Sequence, residues 1–124
     1  DPDCYRALIR CYADVVISVT TTLLLDAALC DRPTIVLDFN NSAGTWQKEA
    51  PSRVLEYIHM QPLLKSGGVR VVTSPNALKA SLEEYLRQPA KDHEGRMRVR
   101  SVFANPYDGK SSERLFNVIW TALR

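Results

Sequence analysis

Apolar residues in this chain fall into two kinds of run. Three are short, nearly continuous and rich in β-branched side chains: residues 15–19 (VVISV), 34–39 (TIVLDF) and 69–73 (VRVVT). Unbroken rather than alternating hydrophobicity suits a strand covered on both faces of a parallel sheet. The other runs follow helical spacing. Residues 5–12 place Ala7, Leu8 and Cys11 on one stripe, and 22–30 are almost wholly apolar, as for a helix wedged against a sheet and covered again from outside. Arg32-Pro33 ends that helix, because the residue before proline avoids the α region.

Residues 51–64 read as a further helix, with Val54, Leu55, Ile58 and Leu63 apolar and Pro62 expected to kink or divide it. Gly67-Gly68 supplies a turn into the third strand. Ser74-Pro75 is a helix start, serine as cap and proline at the first helical position, for a helix carrying Leu78, Leu82, Tyr85 and Leu86. It stops near Gln88-Pro89. A basic stretch, Arg96, Arg98 and Arg100, falls on a short helix, and 111–123 presents Leu115, Phe116, Ile119 and Leu123 at helical spacing. The order α-β-α-β-α-β-α-α-α predicts an α/β fold: three layers, α/β/α, around a short parallel sheet of about three strands. Such a sheet has two bare edges, so it is expected to be half of a larger doubly wound one, the remainder lying upstream. A first residue of Asp1 rather than methionine agrees with a piece cut from something longer.

The 124 residues suffice for one domain, 1–124. A net charge of +2 is too weak to argue for nucleic acid or a membrane surface. No apolar run approaches the ~20 residues that cross a bilayer, and no signal peptide opens the chain, so a cytoplasmic location is expected. Cys4, Cys11 and Cys30 follow no zinc or redox spacing and are expected to be reduced and mostly buried.

Ligands of open α/β sheets bind at the carboxyl ends of the strands. The first such end reads Ser18-Val19-Thr20-Thr21-Thr22 and passes directly into a helix. Adjacent hydroxyls with the free N–H groups of a helix start suit a phosphate or pyrophosphate; equally, one threonine caps the helix and the others line a solvated loop. Asp26, one turn on and alone among leucines and alanines, would accept ribose hydroxyls, or else marks the helix's solvent-facing position. At the second strand end Asp38 and Asn40 would reach a bound ligand, or belong to a plain polar loop. Gly109-Lys110-Ser111 is not a phosphate-binding loop, since no strand precedes it and its first glycine would fall at Ala104. His59 and His93 have no metal-ligand spacing, and no complete catalytic constellation is apparent.

Together, Tyr12-Ala-Asp-Val-Val-Ile-Ser18, the threonine loop, Leu-Leu-Asp26-Ala-Ala-Leu and Arg32-Pro33-Thr-Ile-Val resemble the C-terminal, donor-binding half of GT-B glycosyltransferases, a partial Rossmann-like domain. Closest in flavour are the CDP-glycerol glycerophosphotransferases of cell-envelope polymer synthesis, whose C-terminus is similar to Asp108-Gly-Lys-Ser-Ser-Glu-Arg114. The resemblance implies that Ser18, Thr20, Thr21 and Thr22 hold the donor's phosphates and that Asp26 lies near its ribose. It implies a UDP- or CDP-linked donor, no metal and no other cofactor, and an acceptor-binding N-terminal domain supplying the catalytic base. The parent would act in the cytoplasm, peripherally at the membrane face, and this portion alone would be inactive. Cys30-Asp31 departs from the pattern, which commonly has a small residue and glycine there. Two other readings remain open: a fragment similar to UDP-N-acetylglucosamine 2-epimerases, and a non-enzymatic module that self-associates through its exposed sheet edge.

Overall fold

The three β-rich runs do pair into one parallel sheet. A computed structural model describes residues 2–19, 22–39, 58 and 60–124 of the chain. Along it run α1 (Pro2–Tyr12), β1 (Val16–Ser18), α2 (Leu23–Leu29), β2 (Thr34–Leu37), α3 (Gln61–Lys65), β3 (Arg70–Val72), α4 (Pro75–Arg87), α5 (His93–Phe103) and α6 (Ser111–Ala122). The strands lie in the order β1-β2-β3, all parallel, with Ser18 opposite Val36 and Leu37 opposite Val72.

Helices cover both faces, which accounts for the unbroken apolar strands. Val36 points to one face, into a core with Leu24 and Ala28 of α2, Leu63 of α3 and Val99 of α5. Beside it Val16 meets Ala27 of α2 and Ile9 of α1. Ile35 and Val72 point the other way, onto Tyr85, Leu78 and Leu82 of α4. Thr34 is fully buried and its hydroxyl donates to the Arg32 carbonyl at 2.8 Å, so its polar atom is satisfied. Leu86, expected on the buried face of α4, is exposed.

Helix ends follow the sequence in one place and revise it in another. Ser74 caps α4, its hydroxyl accepting from the Ala77 N–H at 3.2 Å, with Pro75 opening the helix. Pro62 sits in the first turn of α3, where its missing N–H leaves no helical bond unmade, rather than inside a longer helix; residues 51–57 lie outside those described. Cys4 and Cys11 are exposed and Cys30 half-buried, against the expectation of buried thiols. The reason is that α1 turns Ile9 toward α2, while Ala7, Leu8, Cys11 and Tyr12 are exposed. None of the three thiols is bonded to another.

The terminal helix also departs from its pattern. Leu115, Phe116, Ile119 and Leu123 share a stripe, yet none is buried, and α6 contributes no residue to the core. The Asp108–Arg114 segment before it is a folded turn. Gly109 takes a left-handed φ of 75°, the Lys110 N–H donates to Asp108 at 3.0 Å, and Arg114 closes back on Asp108 at 2.9 Å.

Candidate functional site

Parallel pairing puts the ends of β1 and β2 side by side. Ser18 closes β1, half-buried, opposite Val36, and Asp38 lies two residues beyond Val36 on the same carboxyl edge. The Asp38 N–H donates to the Val72 carbonyl at 2.8 Å, which ties the start of this loop to β3 and leaves its half-buried side chain at the edge. Thr22 is exposed and immediately precedes α2. Its backbone is already helical (φ −58°, ψ −18°), and its hydroxyl makes no capping bond to the first turn. The capping alternative for Thr22 is thereby not what this geometry shows. Thr20, Thr21 and Asn40 lie outside the described residues.

Asp26 sits elsewhere. It is half-buried in α2 and opens into a cleft of about 710 Å³ between α1 and α2, bounded by Arg10, Cys11, Leu29, Cys30 and Tyr107. Neither Ser18, Thr22 nor Asp38 lines that cleft. The predicted set is thus divided between a strand edge and a helix–helix groove one turn away. Four residues of helix separate Thr22 from Asp26 by about 6 Å along the axis.

The strongest polar cluster was not among the candidates. Asp31 follows α2 with a left-handed φ of 59°, the conformation for which glycine is favoured. Its carboxylate accepts from Arg96 Nε at 2.7 Å and lies 3.0 Å from His93 Nδ1. Arg96 is 1% exposed and also donates to the carbonyls of Lys91 (2.7 Å) and Pro89 (3.2 Å). Here is the reason the chain tolerates aspartate in the turn: the side chain that strains the backbone also anchors α5. In the sequence the position shows only as Asp31 between the apolar run of α2 and Arg32-Pro33, a turn where glycine is the usual residue.

Burial pushes the Asp31 carboxyl up, but hydrogen bonds and charge from Arg96 and His93 outweigh it and hold it below the ordinary aspartate value. A carboxylate depressed in the folded state stabilises above its unfolded value and loses that contribution as pH falls through the folded one. Stability of the chain is therefore expected to decline below about pH 4, with a shallower decline in Asp31→Asn. Urea midpoints measured between neutral and acidic pH check this; parallel acid limbs in the two proteins would remove Asp31 from the account.

A second network lies on the α4 face. Arg70 of β3 bonds Glu84 (2.5 Å) and Asp92 (2.8 Å), and stacks over the Tyr85 ring at 4.4 Å. The Tyr85 hydroxyl donates to Asp92 at 2.7 Å, and burial followed by that bond raises its pKa. Both networks close on groups within the chain, which marks them as structural. Among the described residues no group of three or more His, Cys, Asp or Glu side chains is placed to hold a metal ion. No described helix is long and apolar enough to cross a membrane.

Compared with protein-family models, with curated proteins and with solved structures, the chain matches none.

Proposed function

We propose that the chain is the donor-binding part of a GT-B transferase, moving a sugar or polyol phosphate from a UDP- or CDP-linked donor to a cell-surface polymer acceptor in the cytoplasm. The observation that carries this reading is the shared carboxyl edge. Ser18 and Asp38 close adjacent parallel strands there, beside the start of a helix whose first turn receives no side-chain cap from Thr22. Open α/β sheets bind ligands at that edge. The consecutive order β1-β2-β3 is also that of one half of a doubly wound sheet, in which β1 would lie at the point where strand order reverses.

In this reading the donor's diphosphate lies at the Ser18–Thr22 edge. Backbone N–H groups and hydroxyls there stabilise the charge that builds on the departing nucleotide phosphate. A nucleoside diphosphate is long enough to cover the ~6 Å from Thr22 to Asp26, so the ribose hydroxyls would donate to the Asp26 carboxylate at the mouth of the cleft. No described residue is assigned as acid or base. Acceptor and base belong to a second domain, and the chain alone would bind without turnover.

Thermal unfolding with CDP, UDP or pyrophosphate tests the reading. Saturating ligand at about 100 times its Kd adds roughly 2.7 kcal/mol, a rise of several degrees in melting temperature. Thr22→Val and Asp26→Ala are each expected to reduce that rise while leaving the unliganded protein unchanged. No shift with any of the three ligands would sink donor binding by this chain. Loss in Thr22→Val alone would place the phosphate at the edge and remove Asp26 from the site.

The non-enzymatic reading has one observation in its favour. In the described sheet β1 is an outer strand, and Ile17 on it and Val19 just beyond it are 39% and 46% exposed. Its outer edge would pair with a further strand.

A further inference from the structure

Among the described residues, exposed large apolar side chains concentrate on α6. Leu115, Phe116, Val118, Ile119, Trp120 and Leu123 are each about half exposed or more. At the 150–250 Å² carried by a large side chain, these six present on the order of 600 Å² of apolar surface. That is the upper end of what a monomer leaves contiguous to water. That compares with the about 800 Å² that each partner contributes to a standard interface.

Charge on the flank of this helix discriminates among occupants. Arg114 is closed on Asp108, and Asn117 and Thr121 fill the middle of the polar face, so there is no basic stripe to meet an anionic bilayer. Two charges remain. Glu113 has no ion-pair partner among the described residues, and Arg124 has only the Trp120 ring, 4.7 Å from its guanidinium. At 100° per residue they lie about 20° apart on the same flank, at opposite ends of α6.

We propose that α6 is a self-association surface, pairing antiparallel with α6 of a second copy of this chain about a two-fold axis. Antiparallel two-fold pairing brings the same flank of both helices together with their ends reversed. Glu113 of each copy then meets Arg124 of the other along the flank, while Phe116, Ile119, Trp120 and Leu123, spaced i, i+3, i+4 and i+7, interdigitate at the seam. A parallel two-fold pair would instead carry the two charged flanks to opposite sides of the seam, where Glu113 and Arg124 cannot meet. The interface is independent of the donor-binding edge and stands or falls apart from it.

Sedimentation equilibrium of the 124-residue chain from roughly 10 to 300 µM, the range that resolves a micromolar dimer, provides the test. The wild type is expected to reach twice its 14.0 kDa mass. Because α6 has no buried residue, Ile119→Glu should leave the circular dichroism of the chain intact while raising the dissociation constant tenfold or more. Glu113→Arg should weaken the dimer and Glu113→Arg with Arg124→Glu should restore it. A wild type that stays monomeric throughout would overturn the proposal, as would a dimer indifferent to Ile119→Glu, which would point to the β1 edge. A dimer broken by Ile119→Glu but not restored by the double reversal would overturn the antiparallel register. A monomer that instead cosediments with phosphatidylcholine–phosphatidylglycerol vesicles would overturn self-association in favour of a bilayer.

Discussion

Replacing Gly95 with alanine is expected to cost the fold about 3 kcal/mol or more, a fall of roughly 10 °C in melting temperature. Gly95 opens the second half of the first turn of α5, directly against the Gly67-Gly68 turn. A Cβ there would fall inside the van der Waals envelope of the Gly67 carbonyl and the Gly68 nitrogen, all of it backbone. Backbone does not rotate out of the way as a side-chain end does. Relief therefore requires α5 to lift off the turn, which would pull Val99 from the core and break the Arg98 Nε bond to the Ser66 carbonyl. The approach is mutual, since a Cβ on Gly68 would lie 2.6 Å from the Arg96 nitrogen. Gly109→Ala is the control. Its φ is 75° but its Cβ meets nothing within 4 Å, so only the left-handed backbone penalises it, by about 1 kcal/mol. Urea midpoints of the two variants check the ranking. Equal losses would mean that the close packing of α5 on the turn is not what requires glycine at 95.

Arg96→Met should be nearly as costly, about 3 kcal/mol. Methionine fills similar space, so the loss is polar rather than a matter of volume. Three acceptors depend on this one guanidinium: the Asp31 carboxylate and the carbonyls of Lys91 and Pro89. Removing it gives up one charge-assisted bond to a carboxylate and two bonds to carbonyls, each hydrogen bond from a charged group contributing about 1.5–3 kcal/mol when well covered and less where the acceptor is reached by water. Arg96→Lys should recover little, because an ammonium cannot serve three directions from one plane. A double-mutant cycle with Asp31→Asn is expected to show coupling of about 1 kcal/mol or more. Strict additivity in denaturant unfolding would show that Asp31 and Arg96 do not act as a unit.

What the sequence disclosed, and what it withheld, divides along physical lines. Strands 15–19, 34–39 and 69–73 were legible because burial on both faces leaves an unbroken apolar mark, and each contains an observed strand. Their parallel pairing followed from the intervening helices, and with it the placing of Ser18 and Asp38 on one edge. The facing of Asp26 was not legible. A helix reading LLLDAAL is apolar almost all round, so its pattern does not fix its rotation, and only packing against α1 turns the carboxylate into the cleft. The arginines at 96, 98 and 100 read as a basic stretch. Their acceptors lie at positions 29, 31, 66, 89 and 91, and no spacing along the chain announces such distant partners. Helical periodicity in α6 signalled a face without saying what covers it.

Those same arginines carry a kinetic consequence. Arg96 holds the α4–α5 turn, Arg98 the carbonyl that ends α3, and Arg100 the Leu29 carbonyl that ends α2, at 2.7–2.8 Å for the closest bond of each. One helix thus staples the carboxyl ends of two others and the turn that precedes it. Fluctuations that open α5 must release all of these together, so amide hydrogens in α2, α3 and α5 should exchange with deuterium as one cooperative block. Helix α6, outside every core cluster, should exchange far sooner in the monomer, as a separate unit. The domain would open in two steps, with the arginine seam marking the border between them.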